Sequence, residues 1–565
     1  MSERPLWFGP TDRPRAGWLH VPPDGRARGG VVLCPTLGYE YLAAHRAFRD
    51  LAGELAGAGI AALRFDYDGT GDAAGDDHDP DRVASWIASI GDAVELLWSC
   101  GVADVVAVGL RVGAALACCA ARELDLAGVV LWDPVPSGRA FVRELRALQL
   151  LGLGDAAGEV YSDALLDELR SLKVPRLDDG LPVLALTRPD RPVTKAFDDV
   201  LPPTATREAA VGQAALLDGF SSAAITPVDT VARIVEWVGE QLPPVRGDVH
   251  VPESSPVAPV DGAVQETFLR IGPVRLFAIR SESLARRPDA PVVVLLNIGN
   301  DHHVGPARQW VEWGRQLAHL GFSVVRVDLS GIGDSPTRPG QRPDKPYAPE
   351  TVDDIVEVAQ ALDRGTGVVL VGVCSGARLA LEAARRLTGD VVRGVCSVNP
   401  ALHIPIAALH DTTREELDPP AVVAANKHGH VRHHALVAVP DVAWRWLDRR
   451  DRVPSRVRLV EDVVANDIDT LLVYGEHDHF LPRIEEMSMW AVRRLQRDPR
   501  FRFDVVPGLD HALLARGGRT ELMARLTAHL VERFGQAVGT RATRWNHATP
   551  LVSDDGPSRE PSSLA

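Results

Sequence analysis

The chain has 565 residues, 45% of them apolar and 24% charged, with a net charge of -15. That length exceeds one ordinary core and calls for two large domains or three to four small ones, and the composition is that of a globular protein. The acidic balance argues against nonspecific nucleic-acid binding, which relies on basic patches. The segment MSERPLWFGPTDRPR lacks a basic region followed by an apolar one, and no apolar run approaches the ~20 residues of a membrane span. Six cysteines at 34, 100, 118, 119, 374 and 396 show no CxxC spacing, which suits reduced thiols and a cytoplasmic location.

In chain order, VVLCPTLGYEY (31–41), RFDYDGTGDAAG (64–75) and VVAVGLRVGAALA (105–117) are apolar, β-branched runs leading into Gly-rich turns. Such runs alternating with helix-period segments predict parallel βαβ units. The third block contains Gly109-Leu110-Arg111-Val112-Gly113, a strand-to-helix turn with two glycines and an arginine at its centre. Arginine stays protonated below pH ~12 and cannot attack an acyl group. No histidine lies between His78 and His250 to act as a base. A bound anion in a vestigial pocket and a buried ion pair are both open roles for Arg111.

PPVRGDVHVPESSPVAPVDGA (243–263) reads as a linker. The pattern then repeats: VVLLNIGNDHH (293–303), RVDLSGIGDSPT (326–337) and VVLVGVCSGARLA (368–380) lie 262 to 263 residues after their counterparts. Asp66, Gly69, Gly71 and Asp72 fall on Asp328, Gly331, Gly333 and Asp334. Two doubly wound, mostly parallel α/β domains are predicted, at 1–242 and 264–536. The tail 537–565 has little to bury and is predicted to be disordered.

In the second half the turn reads Gly372-Val373-Cys374-Ser375-Gly376. Centring it on Ser375 would place Val373 and Ala377 where glycines belong, so the frame selects Cys374. Two late strand-to-loop segments follow, TLLVYGEHDHFLP with Asp478 and FRFDVVPGLDHALL with His511.

These elbow, acid and histidine motifs resemble those of the α/β-hydrolase superfamily over about 20–245 and again 265–536, in the order nucleophile, acid, histidine. The tandem resembles bacterial hydrolases associated with exosortase systems and natural-product gene clusters, and the cysteine elbow resembles dienelactone hydrolases and certain thioesterase domains. The resemblance implies a Cys374–His511–Asp478 triad and an oxyanion hole from the amides of Ser375 and Ile298. It implies a first domain without a triad.

A cysteinyl thioester keeps its acyl group activated, which points to an acyltransferase or a thioesterase or cyclase acting on a thioester or activated ester. An ester or lactone hydrolase and a non-catalytic binding protein are the alternatives. A helical lid is expected at about 401–468, with Trp444 and Trp446 lining an apolar acyl site or packing in its core. Between 420 and 458 it carries eight basic and three acidic residues, which suits an acyl or peptidyl carrier protein as partner, although a solvated charged face is the commoner explanation of such a run. His428, His430, His433 and His434 lack carboxylate or Cys companions; no metal and no cofactor is expected.

Overall fold

The computed structural model describes residues 2–76, 78–150, 161–191, 194–404 and 457–535. The first half builds an eight-stranded sheet from Ser2–Phe8 (β1), Arg15–Val21 (β2), Gly30–Cys34 (β3), Ala61–Phe65 (β4), Val105–Leu110 (β5), Gly128–Trp132 (β6), Val183–Thr187 (β7) and Thr206–Ala209 (β8). Its order is β1-β2-β4-β3-β5-β6-β7-β8, antiparallel from β1 to β4 and parallel thereafter.

The second half builds a nine-stranded sheet from Val257–Asp261 (β9), Val264–Ile271 (β10), Leu276–Ser283 (β11), Val292–Leu295 (β12), Val324–Val327 (β13), Val368–Val373 (β14), Val392–Val398 (β15), Asp469–Gly475 (β16) and Phe501–Val506 (β17). Its order, β9-β10-β11-β13-β12-β14-β15-β16-β17, repeats that of the first sheet with β9 added at the antiparallel edge. In both, the central parallel strands are continuous apolar runs because helices cover both faces.

Residues 243–263, expected as a linker, join both sheets' surroundings. Gly247–Asp248 pairs with Arg26–Ala27, and β9 pairs with β10. The sequence VAPVD alternates exposed and buried residues, the pattern of a half-covered strand, and at a sheet edge Pro259 can forgo its missing N–H. The expected lid falls largely on residues outside those described, as do Trp444, Trp446, the histidines 428 to 434 and the tail 537–565.

The antiparallel ends of the two sheets pack on one another. Trp7 stacks on Phe268 with ring centroids 4.5 Å apart, and Trp18 meets the edge of Phe277. Around this apolar patch runs a reciprocal set of buried ion pairs. Arg64 on β4 donates to Asp334 at 2.7 Å, while its counterpart Arg326 on β13 donates to Asp72, the counterpart of Asp334. Glu3 at 2.5 Å and Glu266 at 2.9 Å complete the two pairs. The two halves therefore meet as a self-complementary interface of the kind found in twofold dimers. Desolvation offsets much of the attraction between buried charges of this sort, so their net contribution to stability is small.

Candidate active site

Cys374 sits where β14 turns sharply into the helix Ser375–Ala384. Its backbone has φ 53° and ψ -111°, a region that L-residues rarely occupy and that aims the side chain away from both strand and helix. The glycines on either side make the turn possible. A Cβ on Gly372 would lie 2.2 Å from the Gly376 carbonyl carbon, and one on Gly376 would lie 2.5 Å from the Asn297 oxygen. The half-buried thiol stands at the start of a helix, where the peptide dipoles favour negative charge.

The structure brings together three of the predicted residues from three separate loops. His511 Nε2 lies 3.1 Å from Cys374 Sγ, and His511 Nδ1 lies 2.5 Å from Asp478 Oδ2. Asp478 is buried and its other oxygen accepts the Phe480 amide at 2.7 Å, which fixes the carboxylate after β16. Burial disfavours a charged His511, but the Cys374 and Asp478 side chains outweigh it and hold the imidazole's pKa at about 10. His479, its ring tilted against that of His511 with centroids 4.4 Å apart, is driven the other way, first by burial and then by the His511 charge.

The loop carrying His511 has its own supports. Asp510 accepts the amides of Ala512, Leu514 and Ala515, and Asn399 Nδ2 donates to the Asp510 carbonyl at 3.2 Å. Asn399 Oδ1 meanwhile accepts the Gly475 amide at 2.8 Å, so one side chain ties the acid loop to the histidine loop. Asn399 carries no motif in the sequence, and Asp510 reads there only as a neighbour of His511. Tyr347 is a further addition: its buried phenol lies against Cys374, and burial followed by the Cys374 charge pushes its pKa well up. It comes from the Pro-rich segment QRPDKPYAPE, which carries no recognisable motif.

The loop after β12, with Ile298, lies against the beginning of the Ser375 helix. There the Gly299 amide donates to Ser375 Oγ at 2.9 Å, which occupies that amide and ties loop to elbow. Ser375 heads its helix, so its own amide has no intrahelical acceptor. Asn297 Nδ2 donates to Asp328 at 2.8 Å, and its oxygen accepts the Leu329 amide.

Arg111 occupies the equivalent elbow in the first half, between β5 and the helix Val112–Ala120. Its guanidinium is buried and donates to Glu40 at 3.0 Å, to Glu144 and to the Asp133 carbonyl. These carboxylates already fill the fork that an incoming anion would need.

Residues 293–521 match the model of the alpha/beta hydrolase family. No curated protein matches the chain. Among solved structures, the thioesterase domain from the curacin biosynthetic pathway aligns at 18% identity, covering 48% of this chain and 100% of that one, with a TM-score of 0.30. Est1E from Butyrivibrio proteoclasticus, bound to ferulic acid, aligns at 17% identity over 48% of this chain and 100% of its own, with a TM-score of 0.32. A putative hydrolase from Agrobacterium vitis S4 aligns at 18% identity over 43% and 98%, with a TM-score of 0.30. The matched segment holds β12 to β17, the Cys374 elbow, Asp478 and His511, and its fold is that of an alpha/beta hydrolase.

Proposed function

We propose that the chain is an acyl-transfer enzyme that works through a thioester on Cys374, with residues 264–536 as the catalytic domain and 1–242 as a domain that has lost its triad. The observation that carries this reading is His511 placed between Cys374 Sγ and Asp478. Asp478 orients the imidazole, so that Nε2 faces the sulfur and can both take and return a proton.

The Cys374 thiolate attacks the carbonyl carbon of a thioester or activated ester and forms a C–S bond. The carbonyl electrons move onto oxygen, and the amides of Ser375 and Ile298 are the donors we assign to that oxyanion. Collapse breaks the bond to the leaving thiol or alcohol, which takes its proton from His511. An acceptor amine, thiol or water then gives His511 a proton as it attacks the acyl-thioenzyme, which releases the product and restores the thiolate. We place an acyl or peptidyl carrier protein among the substrate donors, on the strength of the basic segment 420–458.

Intact-mass measurement after incubation with acyl N-acetylcysteamine thioesters of graded chain length tests the proposal. A mass gain equal to the acyl group, absent in Cys374→Ala, is expected. Absence of any adduct across the series, in protein whose Cys374 still reacts with iodoacetamide, would overturn it.

A further inference from the structure

The first half has no nucleophile at its elbow, yet it touches the catalytic half at one place that matters for chemistry. His303 lies five residues beyond Ile298 on the same loop and is completely buried. Its Nδ1 is 2.7 Å from Asp328 Oδ2 in its own half, and its Nε2 is 2.7 Å from Asp72 Oδ2 in the other. A ring with a carboxylate at each nitrogen is held as the imidazolium, donating to both. Asp328 also accepts the His303 amide and the Asn297 side chain, so Asp72, His303, Asp328 and Asn297 form one connected path to the backbone that precedes Ile298.

A second observation is independent of this path. Ala307 and Arg308, further along the loop, have φ values of 48° and 58°, left-handed conformations that non-glycine residues avoid. Such strain persists only where contacts over-determine it. Here the contacts come from the first half: Arg308 donates to the carbonyls of Gly71 and Ala73, each at 2.8 Å. The loop is thus clamped by the first half at its middle and at its end.

The repeat makes the His303 bridge one-sided. The residue of the first half that corresponds to His303 is Tyr41, whose hydroxyl donates to Asp66 at 2.7 Å. A neutral phenol has one proton to give and cannot bridge two carboxylates. The first half reaches back through Arg49, which donates to the Gly333 and Ser335 carbonyls as Arg308 does to Gly71 and Ala73; the imidazole that bridges carboxylates of both halves belongs to the half with the cysteine.

We infer that the first half is a brace for the oxyanion loop, with Asp72 and His303 as positioning residues for the acyl-transfer step. The inference rests on the function proposed above. Its test separates two reactions of the same sulfur. Acylation by an activated ester passes through an oxyanion, whereas alkylation by iodoacetamide is a direct displacement without one. Asp72→Asn is therefore expected to slow acylation about 10- to 100-fold, the range for a displaced oxyanion donor, and to leave the alkylation rate within about twofold. His303→Gln, which alters the other partner, is expected to do the same and decides the matter where Asp72→Asn does not fold.

The control is Asp334→Asn, which breaks the mirror-image pair with Arg64 at the same interface and keeps both carboxylates that flank His303. It is expected to lower the melting temperature as Asp72→Asn does and to acylate at the wild-type rate. Equal acylation rates for wild type and both loop variants would overturn the brace while leaving acyl transfer intact. Parallel loss of acylation and alkylation, matched by Asp334→Asn, would also overturn it and reduce the contact to a structural one. A wild-type protein that is alkylated but never acylated would instead sink the proposed function.

Discussion

Arg111 and Cys374 stand at the same point of two sheets with nearly the same backbone, φ 54° and ψ -119° against φ 53° and ψ -111°. Each ends the central parallel strand, opens a helix and is flanked by two glycines. The strained turn was thus kept in both halves while its side chain diverged, to a thiol beside an imidazole in one and to a guanidinium among carboxylates in the other.

Removal of the arginine side chain should therefore affect stability and not chemistry. Arg111→Ala strands Asp133, which is buried, and Glu40 and Glu144, which are partly exposed. We expect a loss of about 2–3 kcal/mol, below the full cost of breaking a wholly buried pair because water reaches two of the three acids. Urea denaturation measures it, and the rate of acyl-adduct formation by the folded variant should match wild type.

At the other elbow, Asp478→Asn keeps the shape of the side chain but leaves the imidazole without the acceptor that sets its tautomer. Turnover is expected to fall on the order of 10³- to 10⁴-fold, as for a triad that has lost its acid. His511→Ala should fall at least as far. Steady-state kinetics with a p-nitrophenyl ester would show it, and a loss below tenfold in Asp478→Asn would argue against that role.

The pH dependence follows from His511. Its pKa in the folded chain, about 10, exceeds the ordinary 6.5, so the native protein holds a proton that the unfolded chain releases. The stabilisation is complete below about pH 6.5 and is lost as the pH rises to about 10. The melting-temperature deficit of His511→Ala relative to wild type should shrink over that window. Acylation should show an alkaline limb near pH 10, where the proton for the leaving group is lost, and Asp478→Asn should move that limb to lower pH.

Asn399→Ala removes a side chain that touches neither sulfur nor imidazole but links the two loops that carry Asp478 and His511. A shift of ~1 Å in His511 costs about 100-fold, so we expect a 10- to 100-fold fall in kcat with little change in KM. Separate determination of the two constants on one ester substrate checks this.

The elbow glycines predict equal damage in the two halves. A Cβ on Gly372 meets backbone at 2.2 Å, and one on Gly109 meets the Ala114 Cα at 2.5 Å. Since backbone cannot rotate out of the way, Gly109→Ala and Gly372→Ala should each cost about 3 kcal/mol or more. Calorimetric melting of both variants would reveal whether the first half needs its turn as much as the second.

Much of this protein is legible from residue order. The glycine frame around Cys374 selects one residue as the elbow centre, because only glycines clear the crossing of strand and helix. The strand-to-loop patterns before Asp478 and His511 point to those side chains, which the structure brings to 2.5 Å of each other. The segment 243–263 misled because its prolines and small polar residues suggest a linker, whereas the alternation within VAPVD was sufficient for an edge strand once β10 lay beside it.

Local pattern thus determined the strands, the turns, the duplication and the identity of the residue at each elbow, since those depend on side-chain size, backbone freedom and period over a few positions. Only the tertiary structure decided which distant groups meet. Asn399 against the Asp510 carbonyl, Tyr347 against Cys374 and Asp72 against His303 join residues up to 231 positions apart. Asn399 and Tyr347 have no local signature, and the repeat that marks Asp72 does not say what it meets, because an Asn, a Tyr or an Asp acquires its role from the charge or backbone group that folding sets opposite it.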